Sequence, residues 1–329
     1  MKLATIKNGT RDGRLVVISR DLARGAYADG IAATLLDAIE RWPAVETALR
    51  SRSHELNAGR IPDAFEFDSA RAMAPLPRCY QWLDGSTFAN HGALMERAFD
   101  LGITNEYVKH PLVYQGASDD FLGPCDDVES TSESDNMDFE GEVAVVVDEV
   151  PMGTPQEEAA SHVKLIMLVN DVSLRALAGR EMKTGFGWIQ AKPSTSFSPV
   201  AVTPDELGDA WRDGRVELPL RVSRGGEWFG HPDGKEMTFN FFRLIEHIAY
   251  SRRLRPGTIV GSGTISNASR GAGSACIAER RAIETLDDGG ARTPFLRFGE
   301  RVRIEMLDAA GRSIFGAIDQ RYVRHRHEQ

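Results

Sequence analysis

The sequence predicts an α+β fold that is mainly β, with a small N-terminal domain ahead of a larger β-rich one. The chain has 329 residues, which is more than one average domain holds. A hairpin pattern and two helical patterns come first, and short apolar runs with glycine-rich turns follow. Between them lies Ala74-Pro75-Leu76-Pro77. Because a residue before proline avoids the helical conformation, we expect a linker there and domains at 1–77 and 78–329.

The N-terminal domain is predicted to be a hairpin followed by two helices. Apolar runs at 3–6 and 15–18 flank turn residues at 8–9 and 12–13, as in a hairpin. Pro43 and Gly59 mark the expected start and end of the second helix. The helical spacing comes from Ile31, Leu35, Leu36 and Ile39, then from Val45, Leu49 and Leu56.

The larger domain combines predicted strands with a few helices. Apolar runs at 143–147 and 163–169 predict buried strands. Thr154 and Thr203 each precede a glutamate by three residues, which predicts two capped short helices. The stretch 241–253 is amphipathic, and 301–306 with 313–318 predicts a hairpin. The basic tail 321–327 is expected to be a frayed terminus.

Composition excludes several classes of protein. The formal charge is −9, whereas a nucleic-acid-binding protein favours a basic face. No apolar run approaches transmembrane length, and the first twenty residues are not typical of a signal peptide. The three cysteines, Cys79, Cys125 and Cys276, have no metal-ligand spacing. They suit a reducing cytoplasm without structural disulfides.

Three carboxylates next to predicted core strands are the most informative feature. Glu140 and Glu142 enter the apolar run at 143–147, and they point the same way because strand side chains alternate. Asp171 ends the second apolar run. Carboxylates beside a core are costly unless a positive group holds them. A hard divalent cation fits an all-oxygen set; the alternative is an acidic strand edge paired with surface arginine or lysine.

Other polar residues extend this pattern, and each has a structural alternative. Asp84 and His91 lie in one polar segment, although a single histidine is often merely hydrogen-bonded. Arg175 follows Asp171 by one helical turn. Lys192 precedes a proline and is equally compatible with a surface loop, and Glu279 lies in a charged stretch that is by default solvated.

Together these segments resemble the fumarylacetoacetate hydrolase family, from about Asp84 to Gln320. The motifs that carry the resemblance are Asp138-Phe139-Glu140-Gly141-Glu142, Asn170-Asp171-Val172-Ser173-Leu174-Arg175 and Gly261-Ser262-Gly263-Thr264-Ile265-Ser266. The resemblance implies a catalytic domain of rolled mixed β-sheets behind a small N-terminal cap domain. It also implies a homodimer and one divalent cation, Mg²⁺ in the first place and Mn²⁺ or Ca²⁺ as alternatives.

The same resemblance assigns expected roles to single residues. Ala178 and Ser86 depart from the pattern of true fumarylacetoacetases, and Gln190 is a candidate substitute for a glutamine missing at 178. The expected metal ligands are Asp84, Glu140, Glu142 and Asp171. The expected catalytic residues are His91, Glu279, Lys192 and Arg175, and the expected substrate contacts are Tyr114, Arg175, Gln190, Lys192 and Thr264. The loop 104–120 is expected to influence acyl specificity.

The activity implied is metal-dependent hydrolysis of a carbon–carbon bond in a β-diketo acid, fumarylacetoacetate giving fumarate and acetoacetate in tyrosine and phenylalanine catabolism. One alternative is an acylpyruvase. Another keeps the metal site for a 2-oxo acid decarboxylase, hydratase or isomerase, for example on oxaloacetate. A third is a non-catalytic protein with a structural metal. The spacing of Asp84 and His91 favours hydrolysis.

Overall fold

The computed structural model of the chain describes residues 1–99, 109–117 and 119–326. Residues 104–108 and 118 of the expected specificity loop and the last residue of the tail 321–327 lie outside these ranges. In chain order the strands are β1 Lys2–Ile6, β2 Arg14–Ile18, β3 Arg24–Tyr27, β4 Phe65–Glu66, β5 Trp82–Ser86, β6 Leu112–Gln115, β7 Val128–Ser130, β8 Met137–Asp138, β9 Gly141–Val147, β10 Val163–Asn170, β11 Ser173–Leu174, β12 Ser196–Phe197, β13 Ala201–Val202, β14 Trp211–Arg212, β15 Arg215–Val216, β16 Leu220–Arg224, β17 Glu227–Gly230, β18 Ile259–Gly261, β19 Arg301–Met306 and β20 Ile318–Arg324.

The chain also forms helices between these strands. The α-helices are α1 Leu35–Glu40, α2 Trp42–Asn57, α3 Ala89–Phe99, α4 Gln156–Ala159, α5 Arg175–Thr184, α6 Phe241–Ala249 and α7 Ile277–Asp288. Short 3₁₀ helices lie at Ser69–Arg71, Glu133–Asp135, Ala160–His162, Pro204–Ala210, Gly234–Glu236 and Arg270–Ala272. The fold is therefore α+β and mainly β, as predicted. Within the described residues, no helix is long and apolar enough to cross a membrane.

A large mixed sheet forms the centre of the molecule. Its strand order is β4-β3-β2-β1-β13-β10-β9-β18-β5-β6, and β12 also pairs with β10. Side chains of β9 alternate between two buried layers. Val143, Val145 and Val147 pack into one core, and Ala144 and Val146 pack into the other. This burial on both faces explains why the β9 sequence is apolar almost throughout.

The predicted N-terminal hairpin and second helix are confirmed, whereas the first helix, α1, begins only at Leu35, after Ile31. Strands β1 and β2 form an antiparallel hairpin with Leu3 opposite Val17. Helix α2 begins one residue before Pro43 and ends just before Gly59. Strand β1 also pairs with β13, so the large sheet continues across the expected boundary at 77/78. That boundary stays a prediction.

A second sheet, β17-β16-β19-β20-β7, corrects the C-terminal prediction. Strand β19 is where it was expected, but its partner is Ile318–Arg324 and not 313–318. The tail from Arg321 to Arg324 is therefore a strand, not a frayed end. Gln320 and Tyr322 are fully buried there, because Gln320 accepts from Asn170 in the neighbouring core strand β10.

The two predicted capping boxes are also wrong in detail. Helix α4 exists, but Pro155 is its N-cap and the Thr154 hydroxyl donates to Pro151 instead. The second helix is a 3₁₀ helix, and Thr203 makes no side-chain cap there. The hydroxyl of Thr203 accepts from the buried amino group of Met1 at 2.6 Å. A charged donor makes the stronger hydrogen bond, so it displaces the local cap.

Candidate functional site

Three carboxylates from strands of the large sheet, or from the residue after one, lie close together. Asp84 lies on β5, Glu142 on β9, and Asp171 directly after β10. Their carboxylate oxygens lie within 4.8 Å of one another. All three side chains are buried, with residue exposures of 3%, 0% and 0%. We call these three residues the acid cluster.

Two members of the acid cluster, Glu142 and Asp84, have few hydrogen-bond donors. Neither carboxylate oxygen of Glu142 has a partner among the described residues. Asp84 accepts from the backbone N–H of Gly263 at 3.0 Å. Burial, and then the charge of Asp171, raises the pKa of Asp84 well above its usual range. Burial and the charges of Asp84 and Asp171 do the same to the pKa of Glu142.

Glycines at the end of β18 and just after it allow this close approach. A Cβ at Gly261 would lie 2.2 Å from the Asp84 Oδ1 atom. Gly263 has a φ of +75°, and a Cβ there would lie 2.3 Å from the backbone oxygen of Gly85. Both positions therefore require glycine. Thr264, expected to contact substrate, is buried at 4% exposure in the same loop.

Two positively charged side chains, Lys192 and Arg175, balance the charges of Glu140 and Asp171. The Lys192 Nζ donates to Glu140 Oε2 at 2.6 Å and also to Asp171 Oδ2. Arg175 donates to Glu140 Oε1 at 2.5 Å. Burial alone would raise the pKa of Glu140, but Lys192 and Arg175 outweigh it and lower that pKa. Burial would likewise lower the pKa of Lys192, and the charges of Asp171 and Glu140 reverse this and raise it.

Glu140 thus differs from the acid cluster, although it faces the same site. Each of its oxygens already accepts from a cation. A carboxylate has about four lone-pair sites, so Glu140 keeps capacity for a further ligand. It stays a predicted metal ligand.

Asp138 is a buried residue to which the sequence assigned no role. It accepts from the backbone N–H groups of Ile277 at 2.7 Å and Ala278 at 2.9 Å, at the start of α7. It also accepts from the Arg175 Nε at 2.9 Å. Asp138 therefore fixes both Arg175 and the first turn of α7, where negative charge is favoured. Its place in the Asp138–Glu142 motif was the available signal.

Helices α3 and α7 bring together a histidine and a glutamate that lie far apart in sequence. The His91 Nδ1 lies 2.7 Å from the Glu279 Oε2. Glu279 is 1% exposed, and the His91 side chain is 14% exposed. We call this pair the His–Glu dyad. Ligand atoms of His91, Glu140 and Cys276 lie within 4.8 Å of one another, so the dyad borders Glu140.

Aromatic residues line the lysine side of the site. The Tyr114 hydroxyl donates to Asp171 Oδ2, and burial raises the pKa of Tyr114 well above its usual range. Trp188, which the sequence analysis did not select, packs edge-on against Tyr114 with ring centroids 4.7 Å apart. Its ring centroid is 5.5 Å from Lys192 Nζ. No motif marked Trp188, because its contacts depend on the loop conformation.

Gln190 is a predicted site residue whose side chain makes no hydrogen bond to these groups within the described part of the chain. It is exposed, and its side-chain oxygen accepts from Arg180. All other predicted residues except the buried Thr264 contact one another directly or lie within one shared ligand group.

The acid cluster fits a hard divalent cation. Its ligand atoms are all carboxylate oxygens at mutually close range, as Mg²⁺, Mn²⁺ and Ca²⁺ prefer. The unpartnered oxygens of Glu142 are the observation that fits best, because a buried carboxylate without a donor is costly unless a cation compensates it.

Comparisons with known proteins match two family models to most of the chain. Residues 81–322 match the family described as Fumarylacetoacetate (FAA) hydrolase C-terminal. Residues 1–78 match Fumarylacetoacetase N-terminal domain 2. Two curated relatives are a 2,4-didehydro-3-deoxy-L-rhamnonate hydrolase of Sphingomonas sp. (strain SKA58), 32% identical over 157 residues, and an oxaloacetate tautomerase of Bacillus subtilis, 25% identical over 210 residues. These matches cover 47% and 63% of this chain, and the chain spans only 52% and 66% of those relatives.

Solved structures share the fold over nearly the whole chain. A maleylpyruvate hydrolase of Sphingobium sp. SYK-6, in complex with manganese(II) and pyruvate, has a TM-score of 0.67 at 15% identity. A fumarylacetoacetate hydrolase of Exiguobacterium antarcticum has a TM-score of 0.67 at 18% identity. Each comparison covers 99% of this chain and 100% of the other.

Proposed function

Since this chain belongs to the fumarylacetoacetate hydrolase family, whose members include hydrolases, isomerases and tautomerases, we propose that it is a metal-dependent hydrolase of a β-diketo acid. The reaction is cleavage of a carbon–carbon bond by water. Fumarylacetoacetate is the first substrate to test, and acylpyruvates are the second. The His–Glu dyad beside Glu140 is the observation that carries this proposal.

The acid cluster would hold the cation, with Glu140 as the fourth carboxylate. A divalent cation bound there supplies Lewis-acid polarisation of the substrate's keto and enolate oxygens. All remaining steps are assigned to groups of this chain. The relative from Sphingomonas supports the substrate class, because its name denotes a sugar acid oxidised at carbons 2 and 4. The manganese(II) and pyruvate in the Sphingobium structure support the metal and the 2-oxo acid product class.

The His–Glu dyad would supply the base. Glu279 accepts from the Nδ1–H of His91, which leaves the Nε2 lone pair to accept a proton from water. The resulting hydroxide adds to the carbonyl carbon of the acyl group. The carbon–carbon bond then breaks, and its electron pair leaves as an enolate. His91 returns the proton to the enolate carbon, so one water is consumed and an acid and a ketone are formed.

Lys192 and Arg175 would stabilise negative charge on the substrate. Both are held between carboxylates, so their cationic heads are fixed before substrate arrives. Fixed donors cost little reorganisation when an oxyanion forms. Arg175 suits a carboxylate because its guanidinium is a planar fork.

A second candidate is tautomerisation of a 2-oxo acid. The oxaloacetate tautomerase relative favours it, because its match covers 63% of this chain. Keto–enol exchange needs the same cation and one proton carrier, but it needs no attacking water. The two functions therefore differ in whether a carbon–carbon bond breaks.

One assay separates these functions. Fumarylacetoacetate, acetylpyruvate and oxaloacetate are incubated with the enzyme, with Mg²⁺ or Mn²⁺ and in parallel with EDTA, while the diketone absorbance is followed. Chelator-sensitive loss with an acid and a ketone as products supports the hydrolase. Enzyme-catalysed oxaloacetate enolisation with both diketones intact would refute hydrolysis and support the tautomerase.

A further inference from the structure

The segment that brings Lys192 and Trp188 to the site has no regular structure of its own. Residues 185–192, here called the clamp loop, follow α5 and form neither helix nor strand. Gly185 and Gly187 have φ angles of +73° and +97°. Phe186 and Ile189 are 97% and 83% exposed. Burial of these side chains therefore cannot hold the loop in place.

Glu181, on α5, accepts three hydrogen bonds from the backbone of the clamp loop. Glu181 Oε1 accepts from the backbone N–H of Gln190 at 3.0 Å. Its Oε2 accepts from the N–H groups of Ile189 at 3.1 Å and Ala191 at 3.0 Å. Three consecutive peptide groups thus point at one side chain. These backbone hydrogen bonds hold the pKa of Glu181 below its usual value, so the side chain is ionised at neutral pH.

The clamped peptides lead directly into the site. Ala191, whose N–H is clamped, accepts from Leu174 at 2.8 Å through its carbonyl. Lys192 follows and is itself restricted by Pro193 to extended backbone. Its Nζ sits between Glu140 and Asp171. Trp188 lies at the other end and packs on Tyr114.

We propose that Glu181 is a positioning residue for the reaction, because it sets Lys192 and Trp188 through the clamp-loop backbone. This inference rests on the proposed function, since Lys192 there stabilises developing negative charge. Glu181 is half-buried, and its hydrogen bonds go to the backbone of the loop and not to the acid cluster. A displacement of about 1 Å in a reacting group lowers turnover about hundredfold.

Glu181→Gln tests the clamp without changing the size of the side chain. An amide has one oxygen and one NH₂ group, so at least one loop N–H would face a donor in either orientation. Glu157→Gln is the matched control, because Glu157 is an exposed helical glutamate in the first turn of α4. Chymotrypsin reports loop opening at Phe186, and kcat, KM and the Mn²⁺ dissociation constant report the site.

We expect Glu181→Gln to be cleaved at Phe186 at least tenfold faster than the control, and to have a kcat lowered tenfold to about hundredfold. Its melting temperature and Mn²⁺ affinity should match those of the control. Unchanged cleavage would refute the clamp. Faster cleavage with wild-type kcat would refute the positioning role.

A failure of the proposed function can be told apart from a failure of the positioning role. If the proposed function is wrong, the wild-type protein hydrolyses no β-diketo acid, and there is no kcat to compare. Chymotrypsin cleavage at Phe186 then still tests whether Glu181 holds the loop. Calorimetric titration with oxalate tests the positioning role, because oxalate is a dianion with the oxygen spacing of a 2-oxo acid. Weaker oxalate binding to Mn²⁺-loaded Glu181→Gln than to the control would support positioning, and equal binding would overturn it.

Discussion

Replacing Glu142 with glutamine should stabilise the metal-free protein and abolish its response to metal. Asp171, which is ion-paired with Lys192, lies within 4.8 Å of Glu142. At an effective dielectric constant of about 20, the repulsion between these two ionised carboxylates is at least about 3.5 kcal/mol. Protonating a carboxyl whose ordinary pKa is 4.5 costs only about 3.4 kcal/mol at pH 7. Protonating Glu142 therefore costs less free energy than keeping it ionised. This cost sets the destabilisation of the metal-free protein by Glu142 at about 3 kcal/mol.

The size of this stabilisation depends on pH. The pKa of Glu142 is raised in the folded protein. Its contribution to stability is therefore fully present below pH 4.5 and is lost as the pH rises toward the raised pKa. A glutamine at this position does not titrate, and its amide can donate to Asp84 and Asp171. We expect the variant to exceed wild type by up to about 3 kcal/mol at pH 7 and by little near pH 4.5.

Equilibrium denaturant unfolding with EDTA and with Mn²⁺ checks this. At a Mn²⁺ concentration one hundred times its dissociation constant, wild type should gain about 2.7 kcal/mol and the variant nothing. The difference in unfolding free energy between the variant and wild type should thus shrink or change sign when metal is added. Equal metal-free stability at pH 7 together with an unchanged Mn²⁺ response would refute the reasoning.

Three further outcomes are expected. His91→Ala should lower kcat about 10²- to 10⁴-fold and leave Mn²⁺ binding, measured by calorimetry, intact. The control His162→Ala, which removes a histidine that lies 2.7 Å from Asp148, should leave kcat unchanged. Equal losses of kcat in both variants would contradict the base role of His91. Mn²⁺ affinity should rise with pH, and Mn²⁺ binding should release protons, because the pKa values of all three acid-cluster carboxyls are raised in the metal-free protein. Calorimetry in buffers of different ionisation enthalpy would show no proton release if this is wrong. Lys192→Met should destabilise the metal-free protein by about 3–5 kcal/mol, because Glu140 and Asp171 lose a buried partner, and unfolding at pH 7 with an unchanged midpoint would contradict this.

The strand-end acids could be predicted from the sequence because each one interrupts or follows an apolar run. Glu142 and Asp171 stand at such points, and the structure places them at mutually close range. The hairpin of β1 and β2 was predictable for the same local reason. Side-chain alternation and turn residues are properties of a few adjacent residues.

Features that depend on distant partners could not be predicted in this way. Gln320 lies in a stretch that looks polar, and its buried partner Asn170 is 150 residues away. Asp138 carries no sign that it will meet the first turn of α7. The Thr203 hydroxyl does not cap its helix as predicted, because it accepts from the amino group of Met1, 202 residues earlier. In each case a long-range hydrogen bond overrides the local pattern.

The pairing of β1 with β13 gives the N-terminal segment a protective role toward the rest of the chain. Leu3 and Leu49 share one buried core with Val146 and Met167 of the central strands. A fragment starting at residue 78 would uncover that apolar face and leave β13 with an open edge. Open edges recruit other strands and promote aggregation. The N-terminal segment therefore constrains how this fold can be shortened or recombined.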